Sequence, residues 1–345
     1  MEEVDEPVSP TGQYLNSSVL SISILATLEF DIPIDASQTY FLLNTIFLPI
    51  NPRFSSLMVR DENGVKQWKK VEVKLEDHVH VPIFPDGLSS ESYVDYLQEY
   101  LSKIAMESLP QSRPLWEIHL IKYPTSNADG TLVFKLHHAL VDGFSLMGAL
   151  FSCLRRADNP SLPLTFPSSK QGMSSDSNRN SFFKKVTGFL SRFLNTTSDF
   201  PWSILKSSFV EDDRTPIRAG HEGVEFRPIS ISTVTFSLDQ IKQIKDKLGG
   251  TTAQYVHSTL KNTSMVISNM IGPMEQMSLA NHPIRGLYFM VVGSPQSLTV
   301  TIVSYMGQLR VAVGAEKGFI DDKMFTSCLE NAFTRIKAAV CTMQP

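Results

Sequence analysis

The stretch from Thr131 to Arg156 constrains the fold more than any other part of the chain. TLVFKLHH at 131–138 has Leu132, Phe134 and Leu136 alternating with Val133 and Lys135, which predicts a buried-looking β-strand. Beyond Gly143, Phe144, Met147, Leu150, Phe151 and Leu154 repeat at helical spacing. Arg155 and Arg156 are expected in the last turn of that helix, where cations suit its dipole. A buried strand handing directly to an apolar helix is the building unit of a layered α/β domain.

The surrounding sequence keeps this character. Residues 19–165 read as one α/β unit, with a helix predicted over SSESYVDYLQEYLSKIAMESLP and ended by Pro110. Before it, the acidic, proline-containing residues 1–18 read as a mobile tail without the basic and apolar regions of a signal peptide. Residues 166–224 read as a linker. Its 168–181 stretch holds six serines, and 182–195 has the spacing of an amphipathic helix with Lys184, Lys185 and Arg192. From 225 to 345 strand and helix patterns resume: a strand and helix in ISTVTFSLDQIKQIKDKLGG, β-type runs at 265–272, 287–293 and 298–315, and a terminal helix.

Composition removes several classes of function. With 345 residues, 42% of them hydrophobic, the chain can bury a large core, so global disorder is excluded. The net charge of −4 argues against a protein built to coat nucleic acid. Positive charge concentrates in 169–208, where six basic residues face two acidic ones; such a segment suits an anionic membrane surface or an ordinary crossover helix. Cys153, Cys328 and Cys341 are too few and too scattered for a disulfide scaffold or a zinc site, and fit a reducing compartment.

Chemistry concentrates at His137-His138-Ala139-Leu140-Val141-Asp142-Gly143. If the strand persists to 138, His138 shares a face with Leu132, Phe134 and Leu136 while His137 points the other way. Adjacent histidines on opposite faces cannot form one metal pair, and no HExxH or Cys/His set is present. A single imidazole on an interior face at a strand end suits a general base, and equally a satisfied core histidine. Asp142 before Gly143 has the pattern of a helix cap more than of a catalytic acid. Neither a GxSxG elbow nor a phosphate-binding glycine loop occurs, so a serine nucleophile and a bound nucleoside triphosphate are not expected.

HHALVDG resembles the HHxxxDG motif of CoA-dependent acyltransferases. The chain is similar in particular to the plant-type bifunctional wax ester synthase/diacylglycerol acyltransferases. NPRFSSLMV at 51–59, RPLWEIHLI at 113–121, TSMVISNMIGPMEQMSLANHPIRGLYF at 263–289 and SLTVTIVSYMGQLRVAVGAEKGFID at 297–321 carry the resemblance further. The DFGWG motif of the plant BAHD acyltransferases is absent. The resemblance implies an α/β fold of two chloramphenicol-acetyltransferase-like halves around a central tunnel. It implies His138 as the base that deprotonates a fatty alcohol or the free hydroxyl of diacylglycerol, His137 as a residue shaping the site, and Asp142 as mainly structural. Asn269 and Gly272 are candidates for binding acceptor or oxyanion, or for a strand-end turn. Trp116 is expected in the core. Acyl-CoA is the implied co-substrate, with no cofactor and no metal, and the cytosolic face of the endoplasmic reticulum, or the plasma membrane, is the implied setting.

One departure accompanies the resemblance. After LGGTT only AQYVHSTLKN precedes TSMVISNM, whereas the family carries further elements there, so the second half is expected to be shortened. Two other readings follow: a weakly active or inactive isoform serving as an associating protein, and an acyltransferase for a soluble acceptor.

Overall fold

The computed structural model describes residues 6–16, 21–140, 143–166, 216–217, 227–237, 239–240, 265–294 and 296–342. In chain order its strands are β1 (Glu6–Pro7), β2 (Ser23–Phe30), β3 (Ser56–Arg60), β4 (Lys66–Lys70), β5 (Val79–His80), β6 (Trp116–Ile121), β7 (Gly130–His137) and β8 (Arg155–Arg156). There follow β9 (Ile229–Ser237), β10 (Val266–Ile271), β11 (Met277–Leu279), β12 (His282–Val292), β13 (Leu298–Tyr305) and β14 (Gln308–Glu316). The α-helices are α1 (Pro10–Leu15), α2 (Ala36–Leu42), α3 (Leu48–Ile50), α4 (Ser90–Met106), α5 (Gly143–Ser152) and α6 (Asp322–Thr342). The α/β class is therefore as expected. Among the described residues no helix is long and apolar enough to cross a membrane.

A seven-stranded sheet in the order β5-β6-β7-β2-β12-β11-β8 positions the histidine motif. Cross-strand register puts Trp116, Ile118 and Leu120 beside Leu136, Phe134 and Leu132, then Ile24, Ala26 and Leu28, then Val291, Phe289 and Leu287. That face is wholly apolar. Phe47 stacks on Phe54 at 4.3 Å and meets Trp116 edge-on at 5.0 Å, and the Trp116 indole N–H donates to the Phe54 carbonyl at 2.8 Å. Glu117, His119, Lys135, His137, Ser23, Thr27 and Glu29 occupy the alternate positions and are buried as well. Helix α4 starts under a Ser89 cap and buries Tyr93, Leu97, Leu101 and Ile104 at the spacing the sequence predicts.

The second sheet runs β10-β13-β14-β9, with β10 parallel to β13 and the other pairs antiparallel. The 298–315 run is thus two strands, turned at Met306 and Gly307, which have φ of 49° and 73° as a tight primed hairpin requires. Leu298, Val300, Val311, Val313 and Val234 make a small core of their own, completed by Ile320 and by Phe325 and Leu329 of α6.

Two expectations change. Within the expected tail 1–18, residues 6–16 are structured: β1 pairs with β4, Val8 is buried, and Glu6 forms an ion pair with Arg53. Acidic composition concealed one apolar anchor. Strands β11 and β12 of the 225–345 segment complete the first sheet, which the two segments therefore share. The buried strand β2 needs backbone partners on both edges, and only β7 comes from its own half. Finally, α5 stops at Ser152, and Arg155 and Arg156 form β8 against β11 rather than closing the helix. The linker stretch 168–181, the basic helix expected over 182–195 and the shortened interval after LGGTT lie outside the described residues.

The two sheets are joined by a buried ion pair. Glu29 of β2 accepts from both terminal nitrogens of Arg310 on β14, Arg310 lies 4.6 Å over the Tyr288 ring, and Thr301 donates to the Phe289 carbonyl. Gly286, at a bulge in β12, leaves the room: a Cβ there would sit 2.2 Å from Glu29 Oε2 and 2.8 Å from an Arg310 nitrogen. Gly286→Ala should therefore push apart a desolvated charge pair and destabilise by about 2–4 kcal/mol. Urea unfolding of the two proteins measures this, and equal midpoints would dismiss the clamp.

Candidate active site

Strand β7 ends at His137, and the chain turns through His138, Ala139 and Leu140 before α5 begins at Gly143. The strand alternation that assigned His138 to the face of Leu132, Phe134 and Leu136 therefore stops one residue short of it. The turn is held on every side. His138 N–H donates to the Ile22 carbonyl at 2.8 Å, Leu140 N–H to the His137 carbonyl at 3.1 Å, and Arg53 Nη1 to the Leu140 carbonyl at 2.7 Å. Arg53 belongs to NPRFSS, which links that distant segment to the motif.

The two histidines have different environments. His137 is fully buried, although the alternation puts His138 on the interior face and His137 on the other, because both faces of β7 are covered. The Ala139 N–H donates to its Nδ1 at 3.0 Å, so its proton sits on Nε2, which lies 3.1 Å from Ser21 Oγ. Burial, with the neighbouring His138 and Lys135, lowers its pKa to about 4. With both nitrogens occupied and the ring neutral, His137 braces the turn and exchanges no proton near neutral pH. His138 is half-buried, and its Nδ1 has no hydrogen-bond partner. Of the pair, only His138 keeps an imidazole uncommitted to the fold.

The remaining candidates separate from this pair. Asp142 lies outside the described residues, and Gly143 opens α5. Gly272 N–H already donates to the Ser304 carbonyl at 2.9 Å, and its hydroxyl lies 3.3 Å away, so the expected oxyanion donor is spent on the sheet. A Cβ at Gly272 would lie 2.2 Å from that carbonyl, which explains the glycine by packing alone. Asn269 lies exposed on β10. Trp116 is core, as expected.

A charged network near the histidines escaped the sequence reading. Glu117 on β6 pairs with Arg113 at 2.5 Å and lies 3.8 Å from His80 and 3.6 Å from His119. Lys135, across the ladder from Glu117, donates to the Glu107 carbonyl at the end of α4 at 2.5 Å. Burial raises the Glu117 pKa, but His80, Lys135 and Arg113 outweigh it and bring it to about 2. Burial also lowers His119, which is hydrogen-bonded to the Tyr100 hydroxyl at 2.8 Å, to about 3. The signal was present in WEIHLI and TLVFKLHH, where polar residues recur every second position in otherwise apolar strands.

A family model described as "Wax ester synthase/diacylglycerol acyltransferase catalytic domain" matches residues 46–256, and one described as "WS/DGAT C-terminal domain" matches 234–337. The chain belongs to the wax ester synthase/diacylglycerol acyltransferase family. It is 32% identical over 262 residues to wax ester synthase/diacylglycerol acyltransferase 4 of Arabidopsis thaliana, an alignment covering 72% of this chain and 50% of that protein. The chain thus spans about half the length of the curated relatives it matches. Its fold is similar to that of the wax ester synthase/diacylglycerol acyltransferase from Marinobacter aquaeolei VT8, with a TM-score of 0.64, 15% identity and coverage of 97% of this chain and 99% of that one. A starter condensation domain of rhizomide synthetase RzmA, solved in complex with C8-CoA, shares the fold at a TM-score of 0.57 and 10% identity, covering 99% and 96%.

In this wax ester synthase/diacylglycerol acyltransferase family member the neutral buried histidines make folding sensitive to acid. His137 and His119 have folded pKa values of about 4 and about 3, below the ordinary 6.5. Their contribution is complete above pH 6.5 and is lost as the pH falls toward 4. His137 alone should cost on the order of 2–3 kcal/mol over that window. His119→Gln should show a shallower decline of its urea midpoint between pH 7 and 4 than the parent; parallel curves would remove His119 from the account.

Proposed function

We propose that this protein is an O-acyltransferase that moves a fatty acyl group from acyl-CoA to a long-chain alcohol or to diacylglycerol. The division of labour in the histidine pair carries the reading: His137 is locked neutral by two hydrogen bonds, whereas the His138 imidazole is uncommitted. Family membership supports the reaction class.

In the proposed step His138 takes the proton of the acceptor hydroxyl as the oxygen attacks the thioester carbonyl. A tetrahedral intermediate forms, the C–S bond breaks, and the CoA thiolate receives the proton from His138 as it leaves. The ester and free CoA are the products, and the imidazole returns to its starting form. No cofactor enters. Asn269, exposed and without a hydrogen bond to its side chain among the described residues, is assigned to the acceptor side. Lipid acceptors are drawn from a membrane, which supports a setting at the cytosolic face of the endoplasmic reticulum. The half-length match to the relatives favours a second reading, an associating protein with little turnover of its own.

Labelled palmitoyl-CoA with hexadecanol or diacylglycerol tests both. His138→Ala should lower turnover by about 10²–10⁴-fold while leaving the thermal midpoint unchanged. His137→Ala should do the reverse in emphasis: it leaves the Ala139 N–H and the Ser21 hydroxyl unpaired and so lowers the midpoint. Equal turnover in parent and His138→Ala sinks the base, and a folded parent inactive on both acceptors favours the associating role.

A further inference from the structure

A cavity of about 850 Å³ opens between the C-terminal half of α5, the segment leading to Phe166, and the end of β10. Phe151 and Phe166 meet across it with ring centroids 5.5 Å apart. Leu162, Phe166 and Ile271 in its wall are 48%, 44% and 54% exposed, an unusual openness for large apolar side chains. Neither His137 nor His138 lines it.

Arg155 stands at its edge. This arginine also borders a second cavity of about 540 Å³, so it sits where two hollows meet. No ion pair or side-chain hydrogen bond engages its guanidinium among the described residues. Its neighbour Arg156 differs: it is held by Asp158 at 2.6 Å and by Glu275 at 3.4 Å, and Glu275 is further fixed by Thr165. One cation is thus left free beside an apolar hollow, while the next is fully neutralised.

We propose that this cavity binds a free long-chain fatty acid in its carboxylate form, with the alkyl chain along the apolar wall and the carboxylate on Arg155. The volume falls within the range of about 300–1,000 Å³ usual for small-molecule sites. A planar guanidinium donates two parallel hydrogen bonds to a carboxylate, and one such cation balances one monoanion. A phosphate dianion asks for a second cation, and Arg156 is not free to supply it. The ligand separates this proposal from the acyltransferase reading, since a thioester has no carboxylate, and neither motif histidine lines the cavity.

Gly148 supplies a test that leaves the fold intact. It lines the cavity from within α5, and a Cβ added there meets nothing within 4 Å. Gly148→Leu therefore extends into the hollow at a helix position where leucine is the better helix former. Titration of the full chain with palmitate, followed by displacement of a fluorescent fatty acid, should show saturable binding. Arg155→Gln should weaken it about 10- to 100-fold, the loss of a charge-assisted pair. Gly148→Leu should weaken it by a similar factor with a thermal midpoint unchanged or raised, and hexadecanol should bind the parent no better than palmitate binds Arg155→Gln. The proposal is overturned if the folded parent shows no saturable palmitate binding, if Arg155→Gln binds as the parent does, or if hexadecyl phosphate binds more tightly than palmitate. Loss of acyl transfer in both variants alongside loss of palmitate binding would overturn the independence of the site and assign the cavity to the acyl donor.

Discussion

The edge of β2 is where the two parts of the chain become one structure. Ser23–Phe30 is buried along its whole length, so each of its backbone polar groups must find a partner inside the protein. One edge is served by β7. The other is served by β12, which arrives from more than 250 residues later and pairs from Val292 opposite Ser23 to Ile284 opposite Phe30. The same insertion brings Gly286 beside Glu29, makes room for Arg310, and lets the second sheet lock onto the first. Such a buried pair is costly to desolvate, and removing either partner would leave the other charge buried and unpaired between the sheets.

The histidine motif depends on that frame. Ser23 lies across the ladder from His137, and the adjoining residues Ile22 and Ser21 provide the carbonyl that holds the His138 amide and the hydroxyl beside His137. Anything that frees the edge of β2 loosens the segment that orients both histidines. Arg53 closes the same turn from another direction through the Leu140 carbonyl, while its pairing with Glu6 ties in the N-terminal strand. A residue pair adjacent in sequence thus acquires two roles because one ring is saturated with hydrogen bonds and the other is not.

The polar face of the first sheet leaves the Thr131 hydroxyl buried without a hydrogen-bond partner. Packing on the opposite face is apolar and aromatic throughout, and it offsets this cost. The chain therefore separates its labour by sheet face: stability resides on the side of Trp116 and Phe134, and the titratable groups gather on the side of Lys135 and His137. That separation is also why acid should reach the fold through histidines on one face.

The sequence by itself determined the α/β class, the helix Ser90–Met106 and the strand leading into the histidines, because these follow from local periodicity, and the core position of Trp116, because of its large apolar ring. The family, too, was legible in HHALVDG with PLWE and SNMIGP, since those strings are continuous in the chain. Only the tertiary structure decided that β12 belongs to the first sheet, that residues 6–16 are anchored, that the Gly272 amide is already used, and that Arg155 is free while Arg156 is not. Each of these depends on partners tens to hundreds of residues away, and a backbone amide or a guanidinium carries no local mark of whether a distant carbonyl or carboxylate will reach it. The strand end at His137 belongs to the same group: alternation predicts a face only while the ladder continues, and where it stops is set by contacts from Ile22 and Arg53 that no periodicity encodes.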